Sequence, residues 1–357
     1  MHFLPITDRS RTPVTHNRSV TKRIVFWAAT CFLTLTSSAA NWTWDAGDGS
    51  WDTATNWDPN GVPDDSTAEV FLSNGGGVTT TISLSKKVNS LWVGSNNILR
   101  FDFRGASINF FDSGAFSNSG IIEFTDPAGG ESNESGIFLN NAGTQTNAGT
   151  IRVSAGTSVL RSSDLTNDGG LLLATSGGTL SFRNSSTITG GTLRSESGGL
   201  LDMGGYQVPL SAVNLDGVSI DNQSEFQVRQ NASDRFFGNY DTITNLNSGS
   251  VFTNKSGATT YVLNEATGGT VNGDSSKSVE TQNAYLNVNT GATFINSGTL
   301  LIQANGSVGD PFPFQLSSLG ATFTVASDAT GFTNTGTVKV VNLSPLSQSN
   351  ANFESAQ

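Results

Sequence analysis

Carboxylates carry most of the chemistry this sequence can offer. Both histidines, His2 and His16, and the only cysteine, Cys31, fall within the first forty of 357 residues. The remainder cannot build a Ser-His-Asp triad, a cysteine nucleophile or a His-ligated zinc site. Asp221, Glu225 and Arg229 surround the apolar Phe226 and Val228, a pattern that can project charges from one strand face; Asp234 and Arg235 form a second set. Paired carboxylates, or a carboxylate with Ca²⁺ and a basic residue, are groups that cleave polysaccharides. A solvated outer strand face is the plainer reading of both sets, and neither is marked above the other, so no catalytic residue is assigned.

Hard oxygen ligands gather at Asp45, Asp48, Asp52, Asp58 and Asn60, which makes Ca²⁺ the one cofactor the sequence suggests. The run lacks EF-hand spacing and the Gly-Gly-x-Gly-x-Asp nonapeptide of calcium β-rolls, so turn and cap roles are expected to prevail. Trp42, Trp44, Trp51 and Trp57 share this stretch. Flat aromatic rings suit sugar faces, but a stack of coils also needs bulky groups to close its apolar end, and burial is the expectation for them. Gly75-Gly76-Gly77 lacks the Lys-Ser/Thr and helix of a phosphate loop and reads as a turn.

The elements that position these residues are short. The chain has 40 Gly and only 13% charged residues. One phrase recurs: Phe116-Ser117-Asn118-Ser119-Gly120, Phe294-Ile295-Asn296-Ser297-Gly298 and Phe332-Thr333-Asn334-Thr335-Gly336, each followed by an apolar run. Phe reads as an inward side chain and Asn as a stacking corner amide; Gly is expected where the corner needs positive φ. Runs of three to six β-branched and apolar residues, such as Val88 to Val93 and Thr299 to Ile302, lie between Gly- and Asn-rich turns, and no stretch carries a sustained helical period. Taking Asn118, Asn147, Asn167, Asn254, Asn296 and Asn334 as corners, the gaps are 29, 20, 87, 42 and 38. A unit of about 20 residues accounts for the second as one turn and for 42 and 38 as two, whereas 29 and 87 need insertions. Gly204 to Pro209, Arg235 to Tyr240 and Asp310 to Phe314 read as loops leaving the stack, and beyond Val341 the chain is polar with no strand pattern.

Arg18, Lys22 and Arg23 precede an apolar run, Ile24 to Leu35, and Ser38 and Ala40 supply small residues before a cut after residue 40. This is the layout of a secretory signal peptide. Its removal leaves 13 basic and 28 acidic residues, a net of −15. Such a surface repels nucleic acid, which is not expected as a partner. The expected division is therefore a signal peptide over 1–40, a Trp/Asp-rich N-terminal cap over 41–72, repeats over 73–341 and a polar tail over 342–357.

Trp44-Asp45, Gly49-Ser50-Trp51-Asp52, Asn56-Trp57, Gly61-Val62-Pro63, Asp65 and Val70-Phe71, with the Asn-x-Gly-Thr phrases downstream, resemble the autotransporter-like β-helix passenger proteins exported by bacteria. The resemblance implies an all-β chain folded as a right-handed parallel β-helix, a secreted, extracellular or cell-surface location, and usually no assigned activity. No translocator barrel or sorting tail is recognisable, so membrane association is expected only through export or an anchor beyond Gln357. The expected function is a structural or adhesive β-solenoid that presents loops, with a cell-surface or matrix polysaccharide or protein as partner. Two alternatives stay open: a lyase or glycoside hydrolase using carboxylates on the same scaffold, and a carbohydrate-binding β-sandwich module.

Overall fold

Runs of three to six β-formers between tight corners are too short to bury a core alone; they bury one by pairing with the equivalent runs of neighbouring coils. The computed structural model describes residues 40–353 except 104, 112–113, 126–134, 140–142, 163, 184, 205–210, 231–240, 266, 269–281, 306, 309–318 and 344–346. The leader, Asp234, Arg235 and nearly all of the three segments expected to leave the stack lie outside the described residues. Within them the chain forms a three-sided parallel β-helix, with sheets of thirteen, eleven and ten strands. The first coil with a strand on every side comprises Glu69–Leu72, Thr79–Ile82 and Lys86–Val88; the tenth comprises Leu319–Val325, Gly331–Asn334 and Thr337–Asn342. Helix is confined to a single 3₁₀ turn at Ala54–Asn56 among the described residues.

The core follows from register. In the second sheet Leu99, Ile122, Ile151, Leu172, Leu193, Ile220, Phe252 and Phe294 lie opposite one another in successive strands, all buried. The rings of Phe252 and Phe294 stack with centroids 4.6 Å apart. Each fully buried side chain of this kind contributes about 1.5–3 kcal/mol.

Coil length differs from the expected unit. Asn254 pairs with Asn296 and Asn296 with Asn334 in adjacent strands, so gaps of 42 and 38 residues are single coils, not pairs of 20-residue units. The gap of 29 between Asn118 and Asn147 is likewise one coil. The extra length in the two longest coils sits at the third corner, where the chain passes from the third sheet to the first. Seventeen residues separate Asn264 from Gln282 and fourteen separate Ala304 from Leu319, against four between Asn254 and Thr259. The two long connectors run side by side at their start, where Thr267–Gly268 pairs with Ser307–Val308.

Three further expectations are corrected. The run from Val88 to Val93 crosses a corner: Lys86–Val88 belongs to the third sheet and Ser90–Val93 to the first. The polar tail contains a strand, Ser347–Phe353, because backbone pairing with Leu319–Val325 needs no apolar pattern. Finally, the parallel registers exclude an antiparallel β-sandwich module.

At the N-terminal end Asn41–Trp44 extends the first sheet, and Trp57–Asp58 pairs antiparallel on its outer edge, with Trp44 opposite Trp57. Trp44, Trp51 and Trp57 are buried and meet edge to face, with centroids 4.9 Å apart for Trp44–Trp57 and 4.8 Å for Trp51–Trp57. Trp51 Nε1 donates to Pro63 O at 2.9 Å and Trp57 Nε1 to Trp51 O at 2.8 Å, so indole burial leaves neither donor unpaired. Lys86, buried at the start of the third sheet, pairs with Asp52 of this cap.

Candidate functional site: the corner ladders and the outer face of the second sheet

The carboxylate set is not brought together as expected. Asp221 lies on the second sheet, whereas Glu225 and Arg229 lie beyond a corner on the third. Asp221 is instead engaged by cations: Arg194 Nε is 3.0 Å and Lys255 Nζ 2.8 Å from its oxygens, and Gln223 donates at 2.7 Å. Burial pushes its pKa up, but the hydrogen bonds from Lys255 and Gln223 and the charges of Lys255 and Arg194 outweigh this and hold it below the ordinary aspartate value. A carboxylate held ionised in this way is poorly suited to act as a general acid.

The acidic N-terminal stretch serves turns and pairs. Asp48 accepts from the backbone N–H of Thr79 at 2.7 Å, Asp52 pairs with Lys86, and Asp45 and Asp58 are exposed. Among the described residues no three His, Cys, Asp or Glu side chains converge as a metal site would require. The buried rings of Trp44, Trp51 and Trp57 offer no face to a sugar, and Trp42 is half-buried.

The recurring phrase builds two ladders at different corners. Phe116–Asn118 is a strand of the first sheet, and Asn118 Nδ2 donates to Asn147 Oδ1 at 2.7 Å, whose own Nδ2 donates to Asn167 Oδ1 at 2.6 Å. Thr293–Asn296 is a strand of the second sheet. There Asn222, Asn254, Asn296 and Asn334 form the second ladder, with steps of 2.7, 2.6 and 2.7 Å. Ser195 heads it by donating to Asn222 at 2.5 Å. Asn254 Nδ2 also donates to Thr299 O, and Asn222 Nδ2 to Thr259 O, both at 3.0 Å. The amides thus satisfy backbone carbonyls just past the corner as well as one another.

The phrase glycines have a different reason from the one expected. Gly120, Gly298 and Gly336 do not adopt positive φ. A Cβ on Gly298 would lie 2.3 Å from Ala258 O and 2.4 Å from Lys255 O, and one on Gly336 would lie 2.1 Å from Gly298 O. Close approach of consecutive coils demands glycine there. Positive φ is found instead at Gly291, before the phrase begins. Phe116 and Phe294 are buried, as an inward position requires, and Phe332 is half-buried at the last described strand of its sheet.

Sequence reasoning missed a row of charges on the outer face of the second sheet. Register aligns Thr81, Arg100, Glu123, Arg152, Leu173, Arg194, Asp221 and Thr253 in successive strands. Glu123 is held between Arg100, at 2.5 Å, and Arg152. Burial raises its pKa, but hydrogen bonds from Arg152 and Arg100 and their charges win and hold it below the ordinary glutamate value. Successive residues of the row are 19 to 32 positions apart in the chain, so only the coil lengths reveal that they are neighbours.

No family model matches this chain, and no curated protein or solved structure matches it either.

Proposed function

We propose that this protein is a secreted or surface-exposed structural and adhesive β-solenoid of the autotransporter-like kind. Its role is to present the connectors of its third corner to a cell-surface or matrix polysaccharide or protein. The observation that carries this reading is where the chain spends its length. Ten coils keep one register in all three sheets, while the connectors at one corner grow to seventeen and fourteen residues. Inserted length at a corner leaves the ladders and the core unchanged, so the scaffold can hold varied surface at low cost in stability. The signal-peptide layout of residues 1–40 supports export.

The test replaces the segment between Asn264 and Gln282 with a four-residue connector of the kind found between Asn342 and Ser347. The variant should keep the β-type circular dichroism and thermal unfolding of the parent and lose adhesion to surfaces coated with matrix polysaccharides and proteins. Undiminished adhesion of the shortened variant, or failure of the parent to adhere to any coated surface, would overturn the reading.

A further inference from the structure

We infer that the outer face of the second sheet is a binding surface for an extended acidic polysaccharide lying along the axis of the coils. A chain with a net of −15 after its leader places three arginines in one row on one face, Arg100, Arg152 and Arg194, with Lys255 just past the row at the corner. They form two clusters of the same design. In each, two cations engage one carboxylate: Arg100 and Arg152, on the strands to either side, hold Glu123, and Arg194 on the preceding strand with Lys255 just past the following one hold Asp221. Within each set the cations outnumber the carboxylate they share two to one.

Exposure decides which charges a ligand meets. The cation side chains are 37–48% exposed, whereas those of Glu123 and Asp221 are 3% and 15% exposed. The two carboxylates hold the cations in place from beneath, and in each set it is the cations that meet solvent. This arrangement preorganises long side chains that would otherwise lose rotamer freedom on binding.

Spacing selects the ligand. Strands of the sheet are about 4.8 Å apart, so cations two strands apart repeat at about 10 Å. A sugar ring in an extended chain is of the same order of length as one strand spacing. A polymer with a carboxylate or sulfate on every second sugar therefore matches the row in step and in sign. Beside the charged row runs a second outward row, Ile98, Ile121, Thr150, Leu171, Thr192, Ser219 and Val251, each at least partly exposed. Its apolar and hydroxyl groups suit the CH faces and hydroxyls of sugar rings. Duplex nucleic acid fits poorly, because its phosphates wind around an axis and the rest of the protein repels them.

This inference goes beyond the adhesive reading, since it uses a sheet face and not the third-corner connectors. The experiment measures binding of the full chain to a polymer of alternating glucuronate and N-acetylglucosamine, by calorimetry at low salt, with neutral dextran, polyphosphate and single-stranded DNA as comparisons. Binding should be selective for the acidic glycan and should weaken as salt is raised. The double variant Arg152→Gln, Arg194→Gln should bind about tenfold more weakly. Lys255→Ala, at an exposed corner where folding is little affected, should weaken binding in the same direction, and Lys339→Gln on the third sheet should leave it unchanged. The variant with the shortened Asn264–Gln282 connector should bind the glycan as the parent does, which separates failure of this inference from failure of the adhesive one. Absence of binding to the acidic glycan, equal binding to dextran, tighter binding to polyphosphate or DNA, or unchanged affinity in both the double variant and Lys255→Ala would overturn it.

Discussion

The two asparagine ladders use the same phrase to turn different corners. Between Phe116 and Asn167 the amides stack where the first sheet passes to the second; from Asn222 to Asn334 they stack where the second passes to the third. The changeover falls in the coils between them. Register past Thr166 and Thr189 places Gly190 and then Gly217 in the position of Asn167, while Ser195 opens the second ladder. Each ladder follows apolar residues at its own position in earlier coils. In the second sheet the positions that later hold Asn222 and Asn254 hold Phe101, Phe124 and Val153 in earlier coils. In the first sheet Asn118 follows Trp44, Leu72 and Val93. Each corner thus passes from large apolar groups to amides without losing register. A corner phrase specifies a tight turn with internal hydrogen bonds and says nothing about which of the three turns it makes.

The strongest way to break the comparison is to crowd the corners. A methyl group at Gly149 would lie 2.1 Å from Gly120 O, and one at Gly298 2.3 Å from Ala258 O. Gly149→Ala and Gly298→Ala should each cost about 3 kcal/mol or more, because neither coil can move aside without breaking the ladder above or below. Urea denaturation of both variants measures this, and a negligible loss in either would show that its corner is loosely packed.

Removing an amide should cost less. Asn147→Ala and Asn254→Ala each leave buried partners in the neighbouring coils without their hydrogen bonds, which is worth about 2 kcal/mol. Stability in stacked coils is partly local. Faster hydrogen exchange should therefore centre on the coils around residue 147 in one variant and around residue 254 in the other. Exchange that rises uniformly along the chain in both would contradict separate ladders.

The smallest effect is on acid stability. Glu123 lies beside the first ladder and Asp221 beside the second, and both have pKa values below their ordinary ones. A depressed carboxylate contributes stability that is fully present above the ordinary carboxylate range and is lost as pH falls through and below it. Thermal unfolding temperatures should therefore fall with acidification through that range. Glu123→Gln should flatten the fall, and a pH dependence identical to that of the parent would remove the Arg100–Glu123–Arg152 set from the account.

Much of the fold was legible because its signals are local. Short β-former runs, corner phrases and a Trp-rich start dictate strands, turns and a closing cluster, and Trp44, Trp51, Trp57, Phe116 and Phe294 are buried as those signals require. The candidate site was barely legible. Asp221, Glu225 and Arg229 are close in sequence yet divided by a corner, whereas Arg100, Glu123 and Arg152 are distant in sequence and adjacent in space.

By itself the sequence determined the class of element, the absence of histidine and cysteine chemistry beyond residue 40, and the residue types that corners need. Tertiary structure decided the rest: the length of each coil, the corner each phrase occupies, the backbone contacts that require Gly298, and the line of cations on the second sheet. The physical reason is register. A strand's own residues set which side chains alternate in and out, but which distant side chain lies 4.8 Å away is set by how many residues each intervening corner holds.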